Sequence, residues 1–143
     1  MKYLTGLCFL LILLASCHKT TNAKDSGLYQ QWKLSEWDIS GPGTARFYPQ
    51  PDTTIVLNLN TNGSYTVQIN GQSYSNGSFS LSNPLSEGMT GPRIIFGSTV
   101  QLKPDLGLYD DEFYSISGET LTLRPFLTNP GFQFSEIFQR VHL

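Results

Sequence analysis

The chain has 143 residues, of which 39% are hydrophobic and 14% charged, and its formal net charge is −2. That length holds one domain, and a small negative charge without any Lys/Arg cluster argues against a nucleic-acid partner. Its two cysteines, Cys8 and Cys17, both lie near the N-terminus, so the bulk of the chain has no thiol for a disulfide, a metal or a nucleophile.

In chain order, Lys2 supplies a positive start, Leu7 to Leu14 form an unbroken apolar run, and Ala15-Ser16 are small. This is the layout of a signal peptide over residues 1–16, since crossing a bilayer would need about 20 apolar residues. The segment Leu14-Ala15-Ser16-Cys17 resembles the lipobox of bacterial lipoproteins. The resemblance implies cleavage before Cys17, a diacylglycerol thioether on its sulfur and a further acyl chain on the freed amine. Two or more acyl chains anchor a protein stably, so the expected location is the cell envelope at the outer membrane, with the membrane as first partner. Residues 18–27 are polar and read as a flexible tether, so that residues 17–27 carry the lipid and the spacer. The tether lacks the acidic run that sends some lipoproteins to the cell surface, which points to a periplasm-facing placement. From Cys17 onward eight basic residues face eleven acidic ones, a formal charge of −3.

The expected domain spans residues 28–143 and is all-β. Residues 28–40 contain Trp32, Leu34, Trp37 and Ile39, a spacing that predicts a long strand with a bulge or bend between Leu34 and Trp37. Strict alternation follows over 55–60 and again over 64–70. Between them Thr61-Asn62-Gly63 reads as a tight hairpin turn, because Asn-Gly accepts the positive φ of primed turns. Asn70-Gly71 predicts a second turn into a strand over 72–81, itself interrupted at Asn76-Gly77. Further strands are expected over 93–98, 112–117, 120–124 (across Gly118-Glu119) and 132–141. Eight strands in up-and-down order suggest a closed antiparallel barrel, since closure removes exposed sheet edges; a β-sandwich is the alternative. Alternation turns Ile55, Leu57, Leu59, Tyr65, Val67, Ile69, Phe79, Leu81, Leu121 and Leu123 inward. Three longer connections, 41–52, 82–92 and 99–111, are places where binding residues gather.

The segments Leu28 to Leu34, Leu57 to Tyr65, Gly77 to Leu81, Leu121-Thr122-Leu123 and Phe138-Gln139-Arg140 resemble the small lipocalin-like lipoprotein domains of Bacteroidetes. Lipocalins open on Gly-x-Trp and close with an arginine stacked over that tryptophan. Trp32 matches, with Gln30 at the glycine position, and the resemblance makes Arg140 the stacking candidate at the barrel base, with Arg124 second. It also implies a small hydrophobic ligand in the barrel.

No set of residues forms a catalytic motif. His18 and His142, the two histidines, sit at the tether and next to the C-terminus, away from any interior where a Ser-His-Asp triad or a His-based zinc site would be built. The chain is therefore read as non-enzymatic, with no cofactor and no metal. Glu36 and Asp38 share one strand face and read as a solvated pair. Asp110-Asp111-Glu112 lacks the spaced ligands of a calcium loop and reads as a charged turn before a strand. Two functions remain open. One is capture of a small apolar or amphipathic ligand in the barrel mouth, lined by Tyr65, Phe79, Phe113 and the loop carrying Phe47 and Tyr48. The other is a protein-interaction or inhibitor-like accessory of an envelope complex, with a filled barrel and exposed aromatics at Phe47 and Tyr48. An eight-stranded barrel is near the size at which side chains fill the interior or leave room for one small ligand.

Overall fold

A computed structural model describes residues 27–82, 91–97, 100–103, 106–126 and 133–142. The segments expected to form the signal peptide and, up to residue 26, the lipidated cysteine and tether, together with most of the 82–92 connection, lie outside them. The described residues hold strands and no helix: β1 (Gln31–Ser40), β2 (Ala45–Phe47), β3 (Ile55–Leu59), β4 (Ser64–Ile69), β5 (Gln72–Ser82), β6 (Arg93–Phe96), β7 (Val100–Lys103), β8 (Leu106–Leu108), β9 (Asp111–Ser117), β10 (Thr120–Pro125) and β11 (Gln133–Arg140). The sheet runs β11-β10-β9-β6-β5-β4-β3-β1-β2, and β11 also pairs with β1. Every pairing is antiparallel. Eight strands thus close an up-and-down barrel within residues 31–140, with β2 as an extra strand and β7–β8 as a separate hairpin. The sandwich alternative is excluded by the β1–β11 pairing.

The barrel strands arise where alternation predicts them. β3 reads buried, intermediate, buried, intermediate, buried, and Ile55, Leu57 and Leu59 face inward. Its partner β4 turns Tyr65 and Val67 to the same side, while Ile69 and Leu81 pack on the core's margin. Asn70 and Gly71 adopt φ of 53° and 78°, the pair of positive angles a type I′ turn requires.

β1 shows how a bulge serves packing. Trp32, Leu34 and Trp37 are all buried, although 34 and 37 have opposite parity. The register against β11 slips between Leu34 and Glu36, and one extra residue returns Trp37 to the interior. The displaced Ser35 donates its hydroxyl hydrogen to Ile137 O at 2.8 Å.

Asn76-Gly77 does not interrupt the chain; β5 runs straight through it. A Cβ at Gly77 would lie 2.8 Å from Tyr65 Cε1. The glycine is therefore a seat for the Tyr65 ring on the neighbouring strand rather than a turn.

One end of the barrel is sealed. The Trp32 indole N–H donates to Leu28 O at 2.9 Å, and the Arg140 guanidinium carbon lies 5.8 Å from the Trp32 ring centre. Arg140 Nη1 also meets Glu119 Oε1 at 3.2 Å. The N-terminal end of β1, the C-terminal end of β11 and the β9–β10 turn all lie here.

Candidate functional site

At the opposite end lie the last residues of β1 and the first residues of β9 and β11. The ladder between β10 and β11 runs from Thr120–Gln139 up to Leu123–Glu136 and stops. Beyond that pair β10 stays with β9 as far as Pro125–Glu112, whereas β11 follows β1 as far as Gln133–Ser40. The two strands fork. A groove of about 430 Å³ occupies the fork, lined among others by Phe113, Arg124, Pro125, Phe126, Gln133 and Phe134.

The groove's aromatic wall is held in place. Phe113 and Phe126 pack with ring centres 5.6 Å apart, and Arg93 stacks over Phe126 at 4.1 Å. Arg93 is itself fixed by Asp111, to which its Nε–H donates at 2.8 Å. Phe126 N–H donates to Asp111 O at 2.9 Å, which ties the end of β10 to the start of β9.

Just inside the fork are two carboxyl groups. Glu112 and Glu136 are 0% and 1% exposed, although β9 and β11 could have turned them outward with a one-residue slip. Their neighbours two residues along the same strand faces, Tyr114 and Phe138, are buried core, and the strand period of two carries the carboxyls inward with them. Tyr109 N–H donates to Glu112 Oε1 at 2.7 Å. Glu112 Oε2 and both Glu136 oxygens have no hydrogen-bond partner among the described residues beyond what the two carboxyls can share when one is protonated. Burial, then the Glu136 charge, hold Glu112 well above the usual carboxylate range. Burial likewise pushes Glu136 up to about 8, and the Tyr109 hydroxyl is raised by burial and by both glutamates. Near neutral pH at least one proton therefore stays on the pair.

The residues expected from the sequence fall in three separate places. Tyr65 and Phe79 are interior: Tyr65 is fully buried with its ring edge-on to Phe96 at 5.1 Å, and Phe79 packs 6.4 Å from Phe96. Phe113 lines the fork groove. Phe47 and Tyr48 are 45% and 60% exposed, at and just beyond β2. A single mouth lined by all five is not formed. Glu36 and Asp38 are half-buried, with Asp38 Oδ1 3.4 Å from Arg46 Nε. The acidic run at 110–112 is not one charged turn: Asp111 pairs outward with Arg93 while Glu112 turns into the barrel. Among the described residues no group of three or more His, Cys, Asp or Glu is placed to hold a metal.

Comparison with known proteins finds no matching family model, no matching curated protein and no matching solved structure.

Proposed function

We propose that this chain is a lipid-anchored, non-enzymatic binding module of lipocalin-like type. Its ligand is a small amphipathic molecule, taken at the β10–β11 fork rather than in the middle of the barrel. The observation that carries this is the groove itself: phenyl rings from three positions (Phe113, Phe126 and Phe134) and the ring of Pro125 converge on one concave space. Concave, mostly apolar sites with a few polar groups are where small molecules bind. The middle of the barrel is taken by Trp32, Trp37, Tyr65 and Phe138, each exposed by 1% or less. Anchoring rests on the lipobox at Cys17. Because β1 begins at the sealed end, a tether leaving there would turn the fork away from the bilayer.

Binding of a neutral naphthylamine dye, followed by fluorescence, tests the groove. Phe113→Ala with Phe126→Ala is expected to weaken binding at least tenfold, whereas Phe47→Ala leaves it unchanged; equal binding by both variants refutes the groove. Metabolic labelling with an alkyne fatty acid tests the anchor. Label is expected on the natural chain and lost in Cys17→Ala.

A second reading is favoured by one feature, β2. It ends the sheet order and all three of its residues are exposed, with Phe47 and Tyr48 projecting beside it. A strand edge of this kind can accept a partner's strand, which would make the domain an accessory of an envelope protein. Loss of a crosslinked envelope partner in Phe47→Ser/Tyr48→Ser, with dye binding intact, would favour it.

A further inference from the structure

We propose that the molecule taken at the fork carries a basic amine, received by Glu112 and Glu136 at the groove's inner end. This rests on the groove reading and adds the head-group chemistry to it.

Three observations converge. The first is position. Glu136 belongs to the last residue pair of the β10–β11 ladder, so the strands part immediately beyond it. Phe134, two residues earlier on β11, and Pro125, paired with Glu112 across β9–β10, both line the groove. Two residues along a strand span roughly 7 Å, and directly paired residues have Cβ atoms about 5 Å apart. The carboxyls are not themselves part of the groove's lining; they face the barrel interior beside Tyr114, Pro125 and Phe134, the inward-facing residues that are.

The second is unmet bonding capacity. Buried polar side chains are nearly always partnered, and an exception calls for a ligand, an ion or a water. Three carboxylate oxygens here lack partners among the described residues other than each other. An ammonium group brings three N–H donors and the complementary charge.

The third is the absence of an internal counter-ion among the described residues. Arg93 is engaged by Asp111 and Phe126, Arg124 is exposed on the groove's outer lip, and Arg140 sits at the sealed end over Trp32. Around the pair, β1 offers Trp37, β10 Leu123 and β6 Ile94, none of which titrates; the tyrosines nearby carry no positive charge, the Tyr109 hydroxyl being itself raised by burial and by the charge of both glutamates and Tyr114 lying buried two residues from Glu112. A carboxylate ligand would meet two acids. A calcium ion would find two side-chain carboxyls where it takes six to eight oxygens.

Calorimetry with n-octylammonium, n-octanol and n-octanoate separates the possibilities. The sample is the chain without its first seventeen residues, which keeps the whole β1–β11 ring. Octylammonium is expected to bind at least tenfold more tightly than octanol, with octanoate weakest. Glu136→Gln and, separately, Glu112→Gln should bring octylammonium down to the octanol level. Equal binding of octylammonium and octanol, tighter binding of octanoate, or a preference that survives both glutamine variants overturns the amine and leaves the groove standing. If none of the three binds, the groove reading falls and the amine with it.

Discussion

Raising the pH is expected to loosen this fold, and the cause can be localised to Glu136. A carboxyl ordinarily titrating at 4.5 is held at about 8 in the barrel. The native state keeps a proton that the unfolded chain gives up, so the associated stability is complete below pH 4.5 and declines through the interval up to about 8, beyond which it stays lost. At ~1.4 kcal/mol per pH unit the loss is on the order of 5 kcal/mol. Glu112 acts in the same direction. Domains of this kind have total stabilities of about 5–15 kcal/mol, and each kcal/mol moves the melting temperature by roughly 4 °C at this size. Melting curves taken at steps from about pH 5 to 9 should therefore fall by roughly 20 °C. Glu136→Gln keeps the shape and hydrogen-bonding of the neutral acid but cannot ionise. Its curve should be flatter, and above about pH 8 it should exceed the natural protein in stability. Glu112 retains its desolvation in that variant, so only the double variant Glu112→Gln/Glu136→Gln should be flat. A natural protein whose melting temperature is constant or rises over this range, in parallel with Glu136→Gln, would refute the argument.

Other outcomes follow from packing. Gly77→Ala should destabilise by about 1–3 kcal/mol, because the new methyl meets the fixed Tyr65 ring, and Gly77→Ala in a Tyr65→Leu background should recover part of the loss in urea titrations. Trp32→Ala should cost about 3–5 kcal/mol by emptying the sealed end, read as a lowered urea midpoint. Gly71→Ala places a side chain at φ 78° and should cost about 1 kcal/mol by the same measure. Phe47→Ser and Tyr48→Ser, at exposed positions, should each change stability by less than about 0.5 kcal/mol.

Most of the barrel could be read before any coordinates, because its signals are local. Alternation set the faces of β3 and β4, Asn70-Gly71 marked its hairpin, and the spacing of Leu34 and Trp37 implied the bulge. What escaped depends on neighbours. Asn76-Gly77 carries the same dipeptide as a turn, yet its role is decided by a tyrosine on the adjacent strand. β2 has three residues and β7–β8 are scarcely longer, too short for periodicity to stand out. The glutamate pair is the least legible feature. Glu136 sits two places from both Phe134 and Phe138, and Glu112 two from Tyr114, so alternation alone would have turned them inward. Carboxylates ordinarily seek water, so the residue type masks the pattern that the spacing sets. The fork is invisible to sequence because it depends on where β11 leaves β10 for β1.

Pairing of Trp32 with Arg140 joins segments more than a hundred positions apart. Loop-closure entropy makes such a contact slow to form. When the chain emerges N-terminus first, β1 must wait with one edge bare until the last strand arrives. During that delay it is open to the wrong partner, and a chaperone that shields it would hasten maturation without touching the finished molecule.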